Sequence, residues 1–132
     1  MSDLVFFYGT LMSGFRRRRR IGARLFPLGR GFIHAVLFDL GPYPGAIPGS
    51  DARVWGELHQ MADADAALHE FDRIEGFDSS EPETSLYVRH ETLVTLDDGR
   101  SETAWVYFYN APLGEARRIE SGDYRDHLKV GR

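Results

Sequence analysis

YVRHETLVTLDDGRSETAWVYFY, residues 87–109, reads as two strands joined by a tight turn. Tyr87–Leu96 and Thr103–Tyr109 alternate apolar and polar residues, the period of a pleated strand with one face inward. Between them, Asp97-Asp98-Gly99-Arg100 places Asp-Gly at the tip, the pair that best tolerates the positive backbone angles of a hairpin turn. An antiparallel hairpin is therefore the anchor from which the remaining chain is read.

Outward from it lie three further strand candidates. Leu4–Tyr8 is a short apolar run ended by glycine. Gly31–Leu40 is a second, and it leads into GPYPGAIPG, residues 41–49, whose recurrent prolines and glycines predict a shaped loop. Arg53–Gln60 alternates, with Val54, Gly56 and Leu58 on one face and Trp55, Glu57 and His59 on the other. Asp63 or Asp65 can N-cap a helix that stops at Gly76. Phe15–Arg24 reads either way, as a short helix or irregular chain, and the last twenty residues are polar and weakly patterned. Antiparallel neighbours with one firm helix predict an α+β domain whose sheet curls or closes into a small mixed or antiparallel β-barrel with flanking helices. Loops at one end of such a sheet can form a pocket.

Composition narrows the chemistry. The chain has 132 residues, 42% apolar, enough for one core, and no internal repeat or linker divides it. The expectation is a single domain over residues 1–132. There is no cysteine, which excludes disulfides, zinc-thiolate sites and a Cys nucleophile. The N-terminus lacks the basic and apolar pattern of a signal peptide, and no run has the roughly 18 apolar residues of a membrane span, so a cytoplasmic protein without membrane contact is expected. The five histidines show no metal-binding spacing and no phosphate-binding glycine motif is present, so neither metal nor cofactor is expected. Net charge is −4, unevenly spread. The first half is basic, mainly through the run Arg16–Arg20, and the second half acidic. The acidic balance, with no nucleic-acid module, argues against a nucleic-acid partner. Oligomeric state is not legible.

One carboxylate is out of place. On a helical projection of DADAALHEFDRIEGF, residues 63–77, with about 100° per residue, Ala64, Ala67, Leu68, Phe71 and Ile74 form one apolar stripe. Glu75 falls inside it, about 20° from Leu68. It also lies in the last turn, where the unpaired carbonyls make a carboxylate unfavourable. Burial and the helix end both push its pKa up, which suits a general acid–base near neutral pH. The competing expectation is that the helix ends early and Glu75 reaches solvent or pairs with an arginine. The turn after the first strand is the second oddity. In Tyr8-Gly9-Thr10-Leu11, Gly9 permits unusual dihedrals and a close approach of ligand to the main chain, and the amides that follow can form a nest for an oxyanion. The plain alternative is a tight turn with Thr10 as a helix N-cap.

YGTL near the N-terminus, then GPYPGA, VWGEL, FDRIEGF and LYVR in that order, resembles the gamma-glutamylcyclotransferase-like superfamily, in particular its small bacterial members and gamma-glutamylamine cyclotransferase. The likeness spans roughly residues 4–109. It implies a small mixed β-barrel with flanking helices, and release of 5-oxoproline from a γ-glutamyl amine or amino-acid derivative. It implies that Tyr8, Gly9, Thr10 and Leu11 hold the glutamyl group, that Glu75 is the acid–base, and that Tyr87 lies near the pocket, with Arg89 in the same motif. Tyr43, between two prolines, is a candidate for the pocket mouth or for a plain surface turn. The chain departs from the family in its Arg16–Arg20 run and in SGDYRDHL, where relatives often carry Gly-Asp-Trp. A small γ-glutamyl molecule is thus the expected partner. The alternative is a non-catalytic domain binding a small metabolite on the same fold.

Overall fold

The computed structural model describes residues 2–130. The hairpin forms as read: β4 covers Tyr87–Leu96 and β5 covers Ser101–Tyr109, antiparallel from Tyr87↔Tyr109 to Thr95↔Ser101. The first strand, β1 (Leu4–Phe7), lies parallel to β5 at Val5↔Trp105. On its other side β1 runs antiparallel to β3 (Pro44–Met61), from Leu4↔Gln60 to Phe7↔Glu57. The long β2 (Leu25–Asp39) pairs with β4 at Gly31↔Leu96 and with β3 along most of its length. The order β3-β1-β5-β4-β2, with β2 returning to β3, closes a five-stranded mixed barrel. A two-residue β6 (Arg117–Arg118) adds to the end of β2. The α+β fold with a small barrel is therefore observed.

Three expectations need correction. The second strand starts at Leu25, six residues before Gly31. The predicted loop at residues 41–49 is short, because β3 already begins at Pro44. The prolines are compatible with a strand where they stand. Pro44 is its first residue, and Pro48 adjoins the register shift after His34, positions where a missing N–H breaks no regular ladder. The weakly patterned tail is also ordered: Ile119 and Tyr124 are buried, and α2 spans Tyr124–Val130. Of the ambiguous Phe15–Arg24 segment, only Arg18–Arg20 forms a 3₁₀ turn.

The firm helix, α1, spans Ala64–Glu75. Asp63 caps it by accepting a bond from the Ala66 N–H, and Gly76 ends it in the left-handed region at φ 68°. Its apolar stripe, with Ala67, Leu68 and Phe71 buried, packs on the barrel wall, where Phe71 meets Phe7 edge-on with ring centroids 5.2 Å apart. Both faces of β1 are covered, as its unbroken apolar run requires. The last residue of α1 is thereby brought beside the C-terminal end of β1.

Candidate functional site

At that junction lies a cleft open to solvent. Tyr8, Gly9, Thr10 and Leu11 form one wall, Tyr43, Pro44, Tyr87 and Tyr107 another, and Glu75 and Arg17 contribute its charged groups. The first turn, Gly9 to Met12, is closed by a bond from the Met12 N–H to the Gly9 carbonyl at 3.0 Å. Among the described residues, the N–H groups of Thr10 and Leu11 have no hydrogen-bond acceptor. Gly9 is needed here for a reason other than the expected one. Its φ is not positive; instead a Cβ would sit 2.7 Å from Pro44 Cγ, so the turn can lie against Pro44 only without a side chain.

Three of the four cleft tyrosines, Tyr8, Tyr87 and Tyr107, have their hydroxyls committed to the protein. Tyr8 donates to the Tyr107 carbonyl at 2.7 Å and accepts from the Ala46 N–H at 3.0 Å. Tyr87 donates to the Pro44 carbonyl at 2.8 Å, and Tyr107 to Asp72 Oδ1 at 2.5 Å. Burial pushes all three phenols far above the usual range. They are neutral, fixed walls.

Glu75 contrasts with them. It is partly buried, and no described group donates a hydrogen bond to its carboxylate. Burial pushes its pKa up to about 7, with the nearby Arg17 charge acting in the opposite direction. It is the cleft group poised to exchange a proton near neutral pH. Arg17 donates to Thr10 Oγ1 at 2.7 Å and, more distantly, to the Ile74 carbonyl at 3.4 Å, and its guanidinium lies over the Tyr43 ring, 5.8 Å from the centroid. Thr10 thus receives an arginine rather than capping a helix.

Of the sequence candidates, Tyr8, Gly9, Thr10, Leu11, Tyr43, Glu75 and Tyr87 meet at the cleft, whereas Arg89 does not. Arg89 grips Asp72 through two bonds of 2.9 and 3.1 Å and stacks over Trp105, 4.5 Å from the ring centroid. It braces α1 against the β4–β5 hairpin, and Asp72 in turn fixes Tyr107. Pro44 and Tyr107 were not singled out by sequence; Tyr107 is one of several alternating aromatics that read as ordinary core. Among the described residues no group of three or more His, Asp or Glu could hold a metal ion, and no helix is long and apolar enough to cross a membrane.

The chain as a whole has counterparts among known proteins. Residues 5–126 match the family model described as gamma-glutamyl cyclotransferase, AIG2-like. The chain belongs to this family. It is 34% identical over 93 residues, 70% of each chain, to the gamma-glutamylcyclotransferase family protein YtfP of Escherichia coli K12. It is 27% identical to the putative gamma-glutamylcyclotransferase MJ1514 of Methanocaldococcus jannaschii, over 95% of this chain and 98% of that one. Bacillus subtilis YkqA, at 21% identity, shares the fold with a TM-score of 0.76; 99% of this chain is covered but only 42% of YkqA. Family membership makes the protein an enzyme of gamma-glutamylcyclotransferase-like type, with its substrate left open.

Proposed function

We propose that the protein cyclises a γ-glutamyl compound, releasing 5-oxoproline and an amine, with Glu75 as acid–base. The observation that carries this reading is the Glu75 carboxylate, with no hydrogen-bond partner and a pKa near 7, in a cleft shared with the two open amides of Thr10 and Leu11. In the reaction the substrate's own α-amine attacks its γ-carbonyl carbon, so no enzyme nucleophile is required. At neutral pH that amine is an ammonium. Glu75 in its ionised form takes one proton from it, the new C–N bond forms, and negative charge develops on the carbonyl oxygen. The Thr10 and Leu11 amides are suited to stabilise that oxyanion, a role worth about 3–4 kcal/mol per donor. Glu75 passes that proton to the leaving nitrogen and takes the second proton from the ring nitrogen. The intermediate then collapses, the original C–N bond breaks to give the neutral lactam, and the proton left on Glu75 goes to the departing amine. A pKa near 7 serves uptake and return alike, because neither protonation state dominates.

Tyr8 and Tyr87 shape the glutamyl pocket with their rings, since their hydroxyls are engaged elsewhere. Incubation with a panel of γ-glutamyl amines, amino acids and peptides, with 5-oxoproline measured by mass spectrometry, tests the reading. Release from at least one class is expected. Saturable binding without release from any class would support the metabolite-binding alternative.

A further inference from the structure

The arginine run divides on folding. Arg16, Arg19 and Arg20 are exposed, whereas Arg17 and Arg18 are partly buried. Four arginines among the described residues share that partial burial: Arg17, Arg18, Arg89 and Arg125. Three of them contact a carboxylate of the protein. Arg18 lies 3.7 Å and Arg125 2.7 Å from Glu57, and Arg89 lies 2.9 Å from Asp72. Arg17 contacts only a hydroxyl and a backbone carbonyl, and its other N–H groups have no acceptor among the described residues. It feels the Glu75 charge without forming an ion pair with it. It is also the one cation among the described cleft-lining residues, and it lies over the partly exposed ring of Tyr43.

We propose that Arg17 receives a carboxylate on the leaving portion of the substrate, so that γ-glutamyl amino acids and peptides are preferred to γ-glutamyl amines lacking an acid group. This rests on the cyclotransfer reading above. An inward guanidinium with free donors is completed by a planar anion, which it can bind through two parallel bonds. The partner that the protein does not supply is then supplied by substrate. In a γ-glutamyl amino acid, a single carbon separates the scissile nitrogen from its carboxylate. Holding that carboxylate beside Tyr43 therefore holds the nitrogen near Glu75, which must protonate it as it leaves. The glutamyl α-carboxylate is the other possible anion, but every γ-glutamyl substrate carries it, so the two sources differ in what they do to substrate preference.

The test uses pairs of γ-glutamyl compounds that differ only in the leaving carboxylate, an amino acid and its decarboxylated amine. Wild type, Arg17→Gln, Arg17→Lys and the exposed control Arg16→Gln are compared, with thermal melting to verify folding. Arg17→Gln is expected to lower the acid-over-amine ratio of kcat/KM about 30-fold, equivalent to about 2 kcal/mol for one charge-assisted contact, on top of any loss common to both members through Glu75 and Thr10. Arg17→Lys should recover part of the loss and Arg16→Gln should show none. Equal losses on both members would assign Arg17 to the glutamyl end or to Glu75 itself and overturn the proposal, as would no loss on either. If wild type turns over no pair, the cyclotransfer reading fails separately. Calorimetric titration of the same pairs into Glu75→Gln, with and without Arg17→Gln, then reads the preference without turnover. An acid preference that disappears with Arg17 supports the proposal, and its absence overturns it.

Discussion

Two glutamates flank the Tyr8–Leu11 turn, and the protein treats them in opposite ways. Glu57, on β3, takes hydrogen bonds from the Ser13 N–H at 2.9 Å, the Ser13 hydroxyl at 3.1 Å and Arg125 at 2.7 Å, with His59 Nε2 at 3.2 Å and Arg18 at 3.7 Å. Burial alone would raise its pKa, but the bonds from His59, Ser13 and Arg125 outweigh that and hold the carboxyl down to about 2. Glu75, on α1, has none of those bonds and is more deeply desolvated, and stands near 7. The difference lies in partners and in depth together: hydrogen bonds hold Glu57 down, and burial without them lifts Glu75. A buried carboxylate supplied with donors is a structural anion; one left without them keeps its proton chemistry available. Sequence singles out Glu75 by its place on the apolar stripe of the helix, but it does not show the donors that hold Glu57.

The largest expected effect breaks the comparison at Glu75. Glu75→Gln should lower 5-oxoproline release by about 10²- to 10⁴-fold, the range of a lost general acid–base, with no fall in melting temperature. A clear loss of stability instead would place Glu75 with Glu57, as a structural group.

Next is the converse. Glu57→Gln leaves Arg18, Arg125 and the buried His59, whose Nδ1 already lacks a partner, without their shared anion. A destabilisation of about 2–3 kcal/mol is expected in urea unfolding at pH 7. In wild type, the Glu57 contribution is fully present above its unfolded pKa of 4.5 and is lost as pH falls toward 2, because its folded pKa is depressed.

Glu75 has the opposite sign. The folded state holds its proton more tightly than the unfolded chain, so wild-type stability declines between pH 4.5 and about 7 and is level above. Glu75→Gln removes that decline and should be more stable than wild type at pH 8 by about 1–3 kcal/mol, discounted for the open mouth of the cleft. For turnover, the ionised form is the base, so kcat/KM should rise with pH through about 7 with one ionisation. Arg17 is the charged group facing Glu75; Tyr8, Tyr87 and Tyr107 remain neutral across this range. An acid limb unchanged in Glu75→Gln would assign the ionisation elsewhere.

The smallest effect sharpens the role of the fixed walls. Tyr8→Phe removes the hydroxyl that joins the Tyr107 carbonyl to the Ala46 N–H, and should cost about 1–2 kcal/mol of stability while changing kcat less than about tenfold. A loss of kcat as large as that of Glu75→Gln would make the phenol a participant in proton transfer.

Sequence by itself determined the elements whose signal is local. The β4–β5 hairpin follows from alternation around Asp-Gly. The helix end follows from Gly76 and its start from Asp63 or Asp65, of which the structure uses Asp63, and Glu75 stands out because the 3.6-residue period places it on an apolar stripe. Tertiary structure decided what depends on residues distant in the chain. Closure of the barrel by β2 on β3 absorbs prolines that read as a loop. Pro44 against Gly9, not an unusual dihedral, makes the glycine necessary. Arg89 turns to Asp72 instead of the cleft, and Arg17 and Arg18, adjacent in an undifferentiated run, go to two different glutamates' surroundings. The physical reason is common to these cases. Periodicity and turn chemistry are properties of neighbouring residues, whereas desolvation, hydrogen-bond supply and close packing are set by groups that only the folded chain brings together.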